Sequence, residues 1–414
     1  MVHAAPGYFT STQSNIMNTD DTLKKQGTKI ARLADQTDNM RLILALGTAL
    51  CAGFVSSPAQ AWDTIDDAAG ATSEKVNSIT TDSAGNIFTA GSMVDATGRY
   101  HAVIMKSSDS GANWSTVVDY PGVDDPPPVP PGNGIAAGFH TIISANVAGG
   151  GSHLVAAGVY RRGLRPGTFS SYTPQWVIIR SRDGGANWET LDEYVHPTYT
   201  SVLTPRDVAV DATGNIYLVG MSPEYPNSPY VTPYVCHWLI RKGVATAGVM
   251  TWSTVGDFAH GDGWDTSYGH GYDVDGASAV ACVGTSVFVV GGGTHSWIVR
   301  KSSDGGRTWQ VLDTYQYGKN LKSHVFDVAA DSSGNVYVAG YAQKLGTRWI
   351  VRRLTNGGTK WRTVDDFRLS GGSYGEGRGI TIDASNNVHV TGLAASSQGK
   401  WNWVTRQRTA ATGV

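Results

Sequence analysis

The densest group of chemically capable side chains lies in one Gly-rich stretch, "AHGDGWDTSYGHGYD" at residues 259–273. Imidazole and carboxyl groups can transfer protons, whereas indole and phenol rings can stack on the apolar faces of sugars. The stretch supplies both kinds of group in His260, Asp262, Trp264, Asp265, Tyr268, His270 and Tyr272. Its His and Asp residues are also capable metal ligands, but their spacing matches no recognised ligand motif. We therefore predict neither a metal site nor a cofactor.

Further segments add charged and aromatic side chains of the same kinds. One is rich in Arg, a second is rich in Tyr, a third mixes His with Tyr, and a fourth places Tyr, Glu and Arg at alternate positions. The ligand-binding candidates are Trp264, Tyr199, His196, Arg161, Arg162, Arg165, Tyr225, Tyr230, Tyr374 and Arg378. Aromatic rings with a few polar groups around a concave surface are typical of carbohydrate sites. A carbohydrate or polysaccharide is the predicted ligand.

The same segments contain candidates for catalysis. A lyase acting on an acidic sugar needs a cation against the carboxylate and a base at the adjacent carbon. Arg206 would be the cation, His260 or His270 the base and Tyr268 the acid. A glycoside hydrolase needs two carboxyl groups across the sugar, for which Asp265 and Glu376 are the candidates. The sequence leaves open whether the protein is an enzyme.

These segments interrupt a pattern that occurs six times. Its clearest part alternates apolar with small or polar residues and ends in Gly: "GNIFTAG" at 85–91, "SHLVAAG" at 152–158, "GNIYLVG" at 214–220, "TSVFVVG" at 285–291, "GNVYVAG" at 334–340 and "NNVHVTG" at 386–392. The period of two predicts β-strands. Most copies follow another strand and a short loop with Gly, which predicts a hairpin.

Two more strands follow in each repeat. The third reads, for example, "WIVRK" at 297–301, and the fourth begins with Trp, as in "WQVLDTY" at 309–315. Four antiparallel strands repeated six times predict an all-β, six-bladed β-propeller. The blades are expected at about 76–120, 139–194, 205–258, 277–315, 325–367 and 378–409. The sixth repeat ends without a fourth strand, and "WDTIDD" at 62–67 is predicted to supply it and close the ring.

Two residues of the third strand recur in most blades. They are a Trp at its start (Trp238, Trp297, Trp349, Trp403) and an Arg three residues later (Arg241, Arg300, Arg352, Arg406). We expect them to pack one blade against the next, with the Arg facing acidic residues across the strand pair. Because they recur, they are not predicted to bind a ligand.

The loops of a propeller divide between two faces. The second turn of each blade and the link to the next blade lie on one face, and the first and third turns lie on the other. The long, irregular segments described above all belong to the first of these faces, which we call the long-loop face. Function in rigid β scaffolds is concentrated in such loops. The corresponding loop of blade 4, "GGTHS" at 292–296, is short and is expected to leave an opening.

The third turn carries the pattern S-x-D-x-G-x-x-W, with full copies that begin at Ser107, Ser181 and Ser302. This pattern resembles the Asp-box of sialidases and related bacterial propeller proteins. An acidic side chain there can accept hydrogen bonds from the turn, Gly allows a positive φ, and Trp anchors the turn in the core. A catalytic device is not needed in several blades at once, so the turn is predicted to be scaffold.

The resemblance to sialidases extends over most of residues 62–409 at the level of the scaffold. It implies a first-blade Arg-Ile-Pro signature, three arginines that grip a carboxylate, a Tyr–Glu nucleophile pair and an acidic Asp. Arg206 and Arg378 are candidates for two of the arginines, and Tyr374 with Glu376 for the pair. The first blade instead reads "EKVNSITTD" at 74–82, and no third arginine or Asp acid is assigned. A true sialidase is therefore not predicted.

The N-terminal region predicts export. Residues 40–61 combine a positive start, an apolar run and a small-residue end, which are typical of a secretory signal peptide. The apolar run is shorter than the roughly 20 residues that span a bilayer, so no membrane insertion is expected after its removal. We expect translation to start at Met40, with residues 1–39 a disordered or untranslated extension. The mature protein is predicted to be secreted or periplasmic/extracellular, and a monomer.

The net charge and the cysteine positions bear on the class of partner and on a possible disulfide. A formal net charge of −2 gives no indication of a nucleic-acid partner. Cys51 would leave with the signal peptide, and Cys236 and Cys282 are expected on different strands, too far apart for a disulfide. Three functions are left: a glycan-binding propeller, a polysaccharide lyase or glycosidase, and an envelope or matrix interaction protein. The first is preferred because no catalytic set is fully specified.

Overall fold

The computed structural model describes residues 73–96, 98–121, 137–147, 151–164, 172–196, 204–224, 235–260, 276–293, 295–318 and 321–410. The regular elements in these ranges are β-strands, as the alternating sequence pattern predicts. Within the same ranges no helix has the length and apolar character needed to cross a membrane.

The strands fall into six sheets. Blade 1 contains β1 (Ser73–Thr81), β2 (Ile87–Val94), β3 (Tyr100–Ser107) and β4 (Ser115–Pro121). Blade 2 contains β5 (Gly138–Val147), β6 (Gly151–Leu164), β7 (Tyr172–Ser181) and β8 (Glu189–Tyr194). Blade 3 contains β9 (Thr204–Val210), β10 (Ile216–Glu224), β11 (Val235–Thr246) and β12 (Val249–His260). Blade 4 contains β13 (Ala277–Val283), β14 (Ser286–Gly293), β15 (Ser296–Ser302) and β16 (Gln310–Tyr315). Blade 5 contains β17 (Ser323–Ala330), β18 (Val336–Gln343), β19 (Thr347–Leu354) and β20 (Trp361–Phe367). Blade 6 contains β21 (Gly375–Ile382), β22 (Val388–Ala395) and β23 (Trp401–Arg408).

Each sheet is an antiparallel meander in chain order. The first strands of consecutive sheets contact each other in series, from β1 through β5, β9, β13 and β17 to β21. The six sheets are therefore blades around a common axis, with their first strands innermost. The predicted all-β, six-bladed propeller is confirmed. In the part of the chain that the structure describes, the sixth sheet has three strands; residues 62–67 lie outside it.

A β-bulge interrupts every innermost strand. The extra residues, which we call the bulge ring, are Asn77, His140, Arg206, Ser278, Phe326 and Arg378. The Gly that ends the second-strand motif lies against each bulge. A Cβ on Gly340 would lie 2.0 Å from the carbonyl oxygen of His324, and the corresponding distances in the other blades are 2.0–2.4 Å. The repeated Gly is therefore required by the close backbone approach at the bulge.

Three of the four recurring arginines bind an acidic residue of the preceding blade, and the fourth, Arg300, lies 3.9 Å from the ring centroid of Phe258 in that blade. The guanidinium of Arg241 donates to Asp192 (2.5 Å) and lies 3.9 Å from the Tyr194 ring centroid. The equivalent contacts are Arg352 with Asp313 and Tyr315, and Arg406 with Asp365 and Phe367. The acidic partner belongs to the fourth strand of the preceding blade, so the expected pairing within one blade is wrong. The long side chain reaches the next sheet, where an aromatic ring and a carboxylate both bind it.

The third turns have the scaffold geometry expected of them. In blade 4, the Ser302 hydroxyl accepts a hydrogen bond from the Gly306 amide (2.7 Å), and Asp304 accepts from Thr308 N (2.9 Å). Gly306 has a φ of 92°, which L side chains rarely adopt. The Trp309 indole donates to the carbonyl of Val255 in blade 3 (2.8 Å). The turn is thus fixed internally and anchored to the preceding blade.

The two cysteines of the propeller are free thiols, as expected. Cys236 is buried at the start of β11, and Cys282 is half-buried near the end of β13. Burial raises the pKa of the Cys282 thiol well above its usual range. The fold therefore does not depend on a disulfide between these residues.

Candidate functional site

The structure describes the side chains of five of the predicted site residues: His196, Arg206, Tyr374, Glu376 and Arg378. The side chains of Arg161, Arg162 and His260, which lie on β6 and β12, are outside the described part. The residues that lie wholly outside it are Arg165, Tyr199, Tyr225, Tyr230, Trp264, Asp265, Tyr268 and His270. The site is therefore built from the first five and from the residues that contact them.

Tyr374, Glu376 and Arg378 form one hydrogen-bonded group at the start of β21. The Tyr374 hydroxyl donates to Glu376 Oε2 (2.6 Å), and Arg378 Nε donates to Glu376 Oε1 (2.5 Å). Tyr374 directly precedes β21, and Arg378 is the extra residue of the β21 bulge, which brings its side chain to the Glu376 carboxylate. Glu376 is 1% exposed, so its carboxylate is a buried link between two more accessible groups.

Burial, together with the hydrogen bond to the Glu376 carboxylate, raises the pKa of Tyr374 far above its usual value. The phenol is therefore a stable hydrogen-bond donor at neutral pH. A phenolic nucleophile needs either a lowered pKa or an adjacent base that takes its proton. The Tyr–Glu pair that the sequence suggests does form a hydrogen bond, and this contact holds the phenol against a carboxylate that can accept its proton.

Aromatic rings surround this group. The Arg378 guanidinium lies 4.2 Å from the Phe326 ring centroid, and Phe326 is 5.9 Å from Tyr341. The Tyr374 ring meets Trp401 edge-on at 4.9 Å. We call these six residues the mouth cluster: Phe326, Tyr341, Tyr374, Glu376, Arg378 and Trp401. They lie at the starts of β17, β21 and β23 and near the end of β18, and thus on the long-loop face.

Two members of the mouth cluster are accessible to a ligand. Trp401 is 61% exposed, and the Arg378 side chain is 45% exposed. Glu376 and Phe326 hold the guanidinium from two sides, which limits its freedom before any ligand arrives. An exposed indole and an oriented guanidinium offer a stacking surface and a planar hydrogen-bond donor.

Three members of the mouth cluster were not singled out from the sequence. Phe326 has the same position relative to the repeated Gly as Arg206 and Arg378, so an alignment of the six repeats is the signal that would have found it. Tyr341 directly follows the second-strand Gly, whereas Trp401 lies two residues before the recurring Trp of its blade. Nothing in the sequence shows that these two residues come together.

Arg206 lies in the bulge ring on the other side of the mouth, in blade 3. Its half-buried guanidinium approaches the Met221 sulfur (3.8 Å). Burial, together with the positive charges of Arg206 and Lys75, lowers the pKa of His140 to about 4. His140 is therefore neutral at physiological pH, and this side of the ring carries positive charge.

Two carboxyl groups follow the bulge residues and join blades. Asp207 accepts a hydrogen bond from Val280 N in blade 4 (2.9 Å), and Asp327 accepts one from Ile380 N in blade 6 (2.8 Å). Burial and the negative charge of Asp327 raise the pKa of Asp207 to about 7, and burial raises that of Asp327 to about 6. Their backbone partners indicate a role in holding the blades together.

His196 is packed inside the protein. It is 7% exposed, its ring meets Tyr194 edge-on at 6.2 Å, and its Nε2 lies 3.7 Å from Asp257. Asp257 also binds His237 Nδ1 at 2.6 Å. These contacts favour a packing role for His196. Across the described residues, no group of three or more His, Cys, Asp or Glu is arranged to hold a metal ion.

No protein-family model and no curated protein matches the chain. Solved structures similar to it include a Hadza microbial sialidase, at 14% identity and a TM-score of 0.49, over 83% of this chain and 67% of that one. Another is a protein of unknown function from Dyadobacter fermentans, at 16% identity and a TM-score of 0.46, over 81% and 94% of the two chains. A third is an α-L-arabinofuranosidase from Fusarium graminearum, at 14% identity and a TM-score of 0.42, over 81% and 93%. The likeness concerns the propeller fold, which the six sheets themselves establish.

Proposed function

We propose that the protein is an exported carbohydrate-binding propeller that takes a glycan at the mouth cluster. One observation carries this proposal: the partly exposed Arg378 guanidinium is fixed between buried Glu376 and the Phe326 ring, beside the exposed Trp401 and the Tyr374 phenol. An exposed indole can stack on a sugar face while the guanidinium donates to neighbouring sugar oxygens. The signal-like segment at residues 40–61 supports export.

Binding is favoured over catalysis by the state of Glu376. Both of its oxygens accept hydrogen bonds from side chains, and it is 1% exposed, which keeps the carboxylate out of direct contact with solvent. A glycosidase carboxylate must reach the anomeric carbon or an attacking water. Glu376 instead orients Arg378 and Tyr374, so its function is positioning.

Arg378→Ala and Trp401→Ala test the site. Each should weaken glycan binding by about 1–3 kcal/mol, roughly five- to 150-fold in Kd, as expected for contacts that carry binding energy. The measurement is calorimetric titration of the purified protein with a panel of neutral and acidic polysaccharides. The melting midpoint should change little in Trp401→Ala because the indole is mostly exposed. Arg378→Ala also removes a partner of the buried Glu376 carboxylate and should lower the midpoint, so its affinity is measured well below that midpoint.

Two exposed residues away from the mouth provide matched controls. Arg362 on β20 and Val249 at the start of β12 are exposed, and Val249 borders the third turn on the opposite face. Arg362→Ala and Val249→Ala should leave glycan binding unchanged. Equal loss of affinity in a control, or full affinity in both mouth variants, would remove the support for this site. New reducing ends or unsaturated products during incubation would show an enzyme, and no response to any glycan would favour a protein-interaction function.

A further inference from the structure

A serine and a histidine from neighbouring blades meet beside the mouth cluster. Ser278 is the bulge residue of β13 in blade 4, and His324 is the second residue of β17 in blade 5. The Ser278 Oγ lies 3.3 Å from the His324 Nε2. Asp207 and Asp327 join neighbouring innermost strands through backbone amides, whereas this contact links two side chains. It therefore satisfies no backbone group of either strand.

The imidazole of this pair is held in a fixed orientation by the mouth cluster. The His324 ring stacks on Tyr341 at 6.3 Å with an interplanar angle of 26°, and its centroid is 4.8 Å from that of Phe326. His324 is 8% exposed, whereas Ser278 is half-buried. A packed imidazole beside a more accessible hydroxyl is the arrangement of a base and the nucleophile that it activates.

The distance and the surrounding charge both suit this chemistry. A nucleophile and its base lie about 2.6–3.2 Å apart, and the distance is often longer before a substrate is bound. In the tautomer with its proton on Nδ1, His324 accepts from the Ser278 hydroxyl through Nε2. Arg206 precedes Ser278 in the bulge ring and supplies positive charge on that side, which favours a developing oxyanion.

We propose that Ser278, with His324 as its general base, hydrolyses carboxylic esters, and that the substrate is an acylated glycan; the choice of substrate rests on the proposed function. The Ser278 Oγ attacks the ester carbonyl carbon while its proton passes to His324 Nε2. The bond from the carbonyl carbon to the sugar oxygen then breaks, and that oxygen leaves with the proton from His324. Water, deprotonated by His324, hydrolyses the acyl-serine, which releases the carboxylic acid and restores the hydroxyl.

This reaction consumes one water, changes no oxidation state and leaves every glycosidic bond intact. It therefore makes no demand on the Glu376 carboxylate, which remains buried between Arg378 and Tyr374. The ester and the sugar would be held by different parts of one mouth, with the dyad in blades 4 and 5 and the exposed Trp401 in blade 6.

Covalent labelling tests the nucleophile without any glycan. A fluorophosphonate reagent reacts with an activated serine, so incubation of the full-length protein should place the phosphonyl group on Ser278, found by peptide mass spectrometry. His324→Gln keeps a polar side chain but cannot take the proton, and it should label at least about tenfold more slowly. The urea-unfolded protein should not label. Absence of the adduct from Ser278 in the native protein, or equal labelling in native His324→Gln and in the unfolded chain, would overturn the proposal.

Acetate release from a chemically acetylated polysaccharide tests the substrate. Ser278→Ala should lower the rate at least about tenfold while its affinity for the unmodified polysaccharide stays within a few-fold. The matched control Ser296→Ala removes another half-buried serine of blade 4 on the long-loop face and should keep the full rate. An equal rate in Ser278→Ala, or no acetate release from the wild type, overturns this inference.

The two proposals can fail separately. If Ser278 does not label while Arg378→Ala still weakens glycan binding, the esterase is refuted and the binding site stands. If Ser278 labels and the protein hydrolyses p-nitrophenyl acetate but binds no polysaccharide, the nucleophile is supported and the glycan is refuted as ligand and as substrate.

Discussion

Replacement of Glu376 offers the sharpest test of how the mouth cluster is held. The buried carboxylate accepts one hydrogen bond from Arg378 and one from Tyr374. In Glu376→Gln the amide keeps the shape of the side chain but loses the charge. Its oxygen can still accept from Arg378, whereas its NH₂ group turns towards Tyr374, whose hydroxyl must then change from donor to acceptor.

The expected loss follows from the two contacts. A hydrogen bond to a charged group contributes about 1.5–3 kcal/mol, against about 0.5–1.5 kcal/mol for a neutral one. The difference is discounted because 45% of the Arg378 side chain is exposed and water screens its charge. Glu376→Gln should therefore lower the free energy of unfolding by about 1 kcal/mol. Glu376→Ala removes both acceptors from a buried position and should lower it by about 2–4 kcal/mol.

Urea denaturation at neutral pH measures both variants, with Tyr374→Phe completing a double-mutant cycle with Glu376→Ala, which removes the shared hydrogen bond. We expect a coupling energy of about 0.5–1.5 kcal/mol between the two residues, because they share one hydrogen bond. If Glu376→Ala costs less than about 0.5 kcal/mol, Glu376 does not hold the cluster. Arg378 would then not be pre-organised by this carboxylate.

Three further predictions concern the scaffold. Gly340→Ala should lower the free energy of unfolding by more than about 3 kcal/mol, because its Cβ would lie 2.0 Å from a backbone oxygen. The control Gly399→Ala has open space around it and a φ of 73°, and should lower it by only about 1 kcal/mol in the same urea experiment. Burial raises the pKa of Asp207 to about 7 and that of Asp327 to about 6, whereas an unfolded Asp has a pKa of about 4. The native state therefore binds more protons than the unfolded state in this range, and the free energy of unfolding should fall as the pH rises from 5 to 8. Calorimetry across this range measures the slope, which should be shallower in Asp327→Asn; a flat profile would contradict the assignment. The Cys282 thiol should react with a thiol reagent much more slowly in the native than in the urea-unfolded protein, since burial raises its pKa, and equal rates would refute this.

The repeat pattern predicted most of the fold because it contains the physical requirements of a blade. The period of two places the strands, and the third-turn residues fix a tight connection whose hydrogen bonds the structure reproduces at Ser302 and Asp304. The partners of the arginines were wrong for a physical reason. Strand pairing within a blade can be derived from one repeat, but the contact of Arg241 with Asp192 depends on how two sheets pack, which no single repeat contains.

The sequence predicted less of the candidate site than of the fold. The sequence singled out Tyr374 with Glu376 as a pair and Arg378 as a ligand-binding candidate, and the structure places the three residues in hydrogen-bond contact. Phe326 and Trp401 come from other strands, and only the curvature of the ring brings them to the same mouth. The Gly-rich stretch at 259–273, which has the most candidates by composition, remains a prediction because it lies outside the described residues.

The bulge ring explains how one scaffold can hold a specific site. Across the six blades the residue against the bulge is always Gly, since any Cβ there would collide with a backbone oxygen. The bulge residue itself is Asn, His, Arg, Ser, Phe and Arg in turn, five side-chain types at one structural position. The backbone requires a residue at this position, but the fold does not require a particular side chain there. The side chain can therefore differ from blade to blade to suit a ligand. Changes in the bulge ring should therefore alter what the mouth binds while leaving the blades intact, whereas changes in the opposing glycines should unfold them.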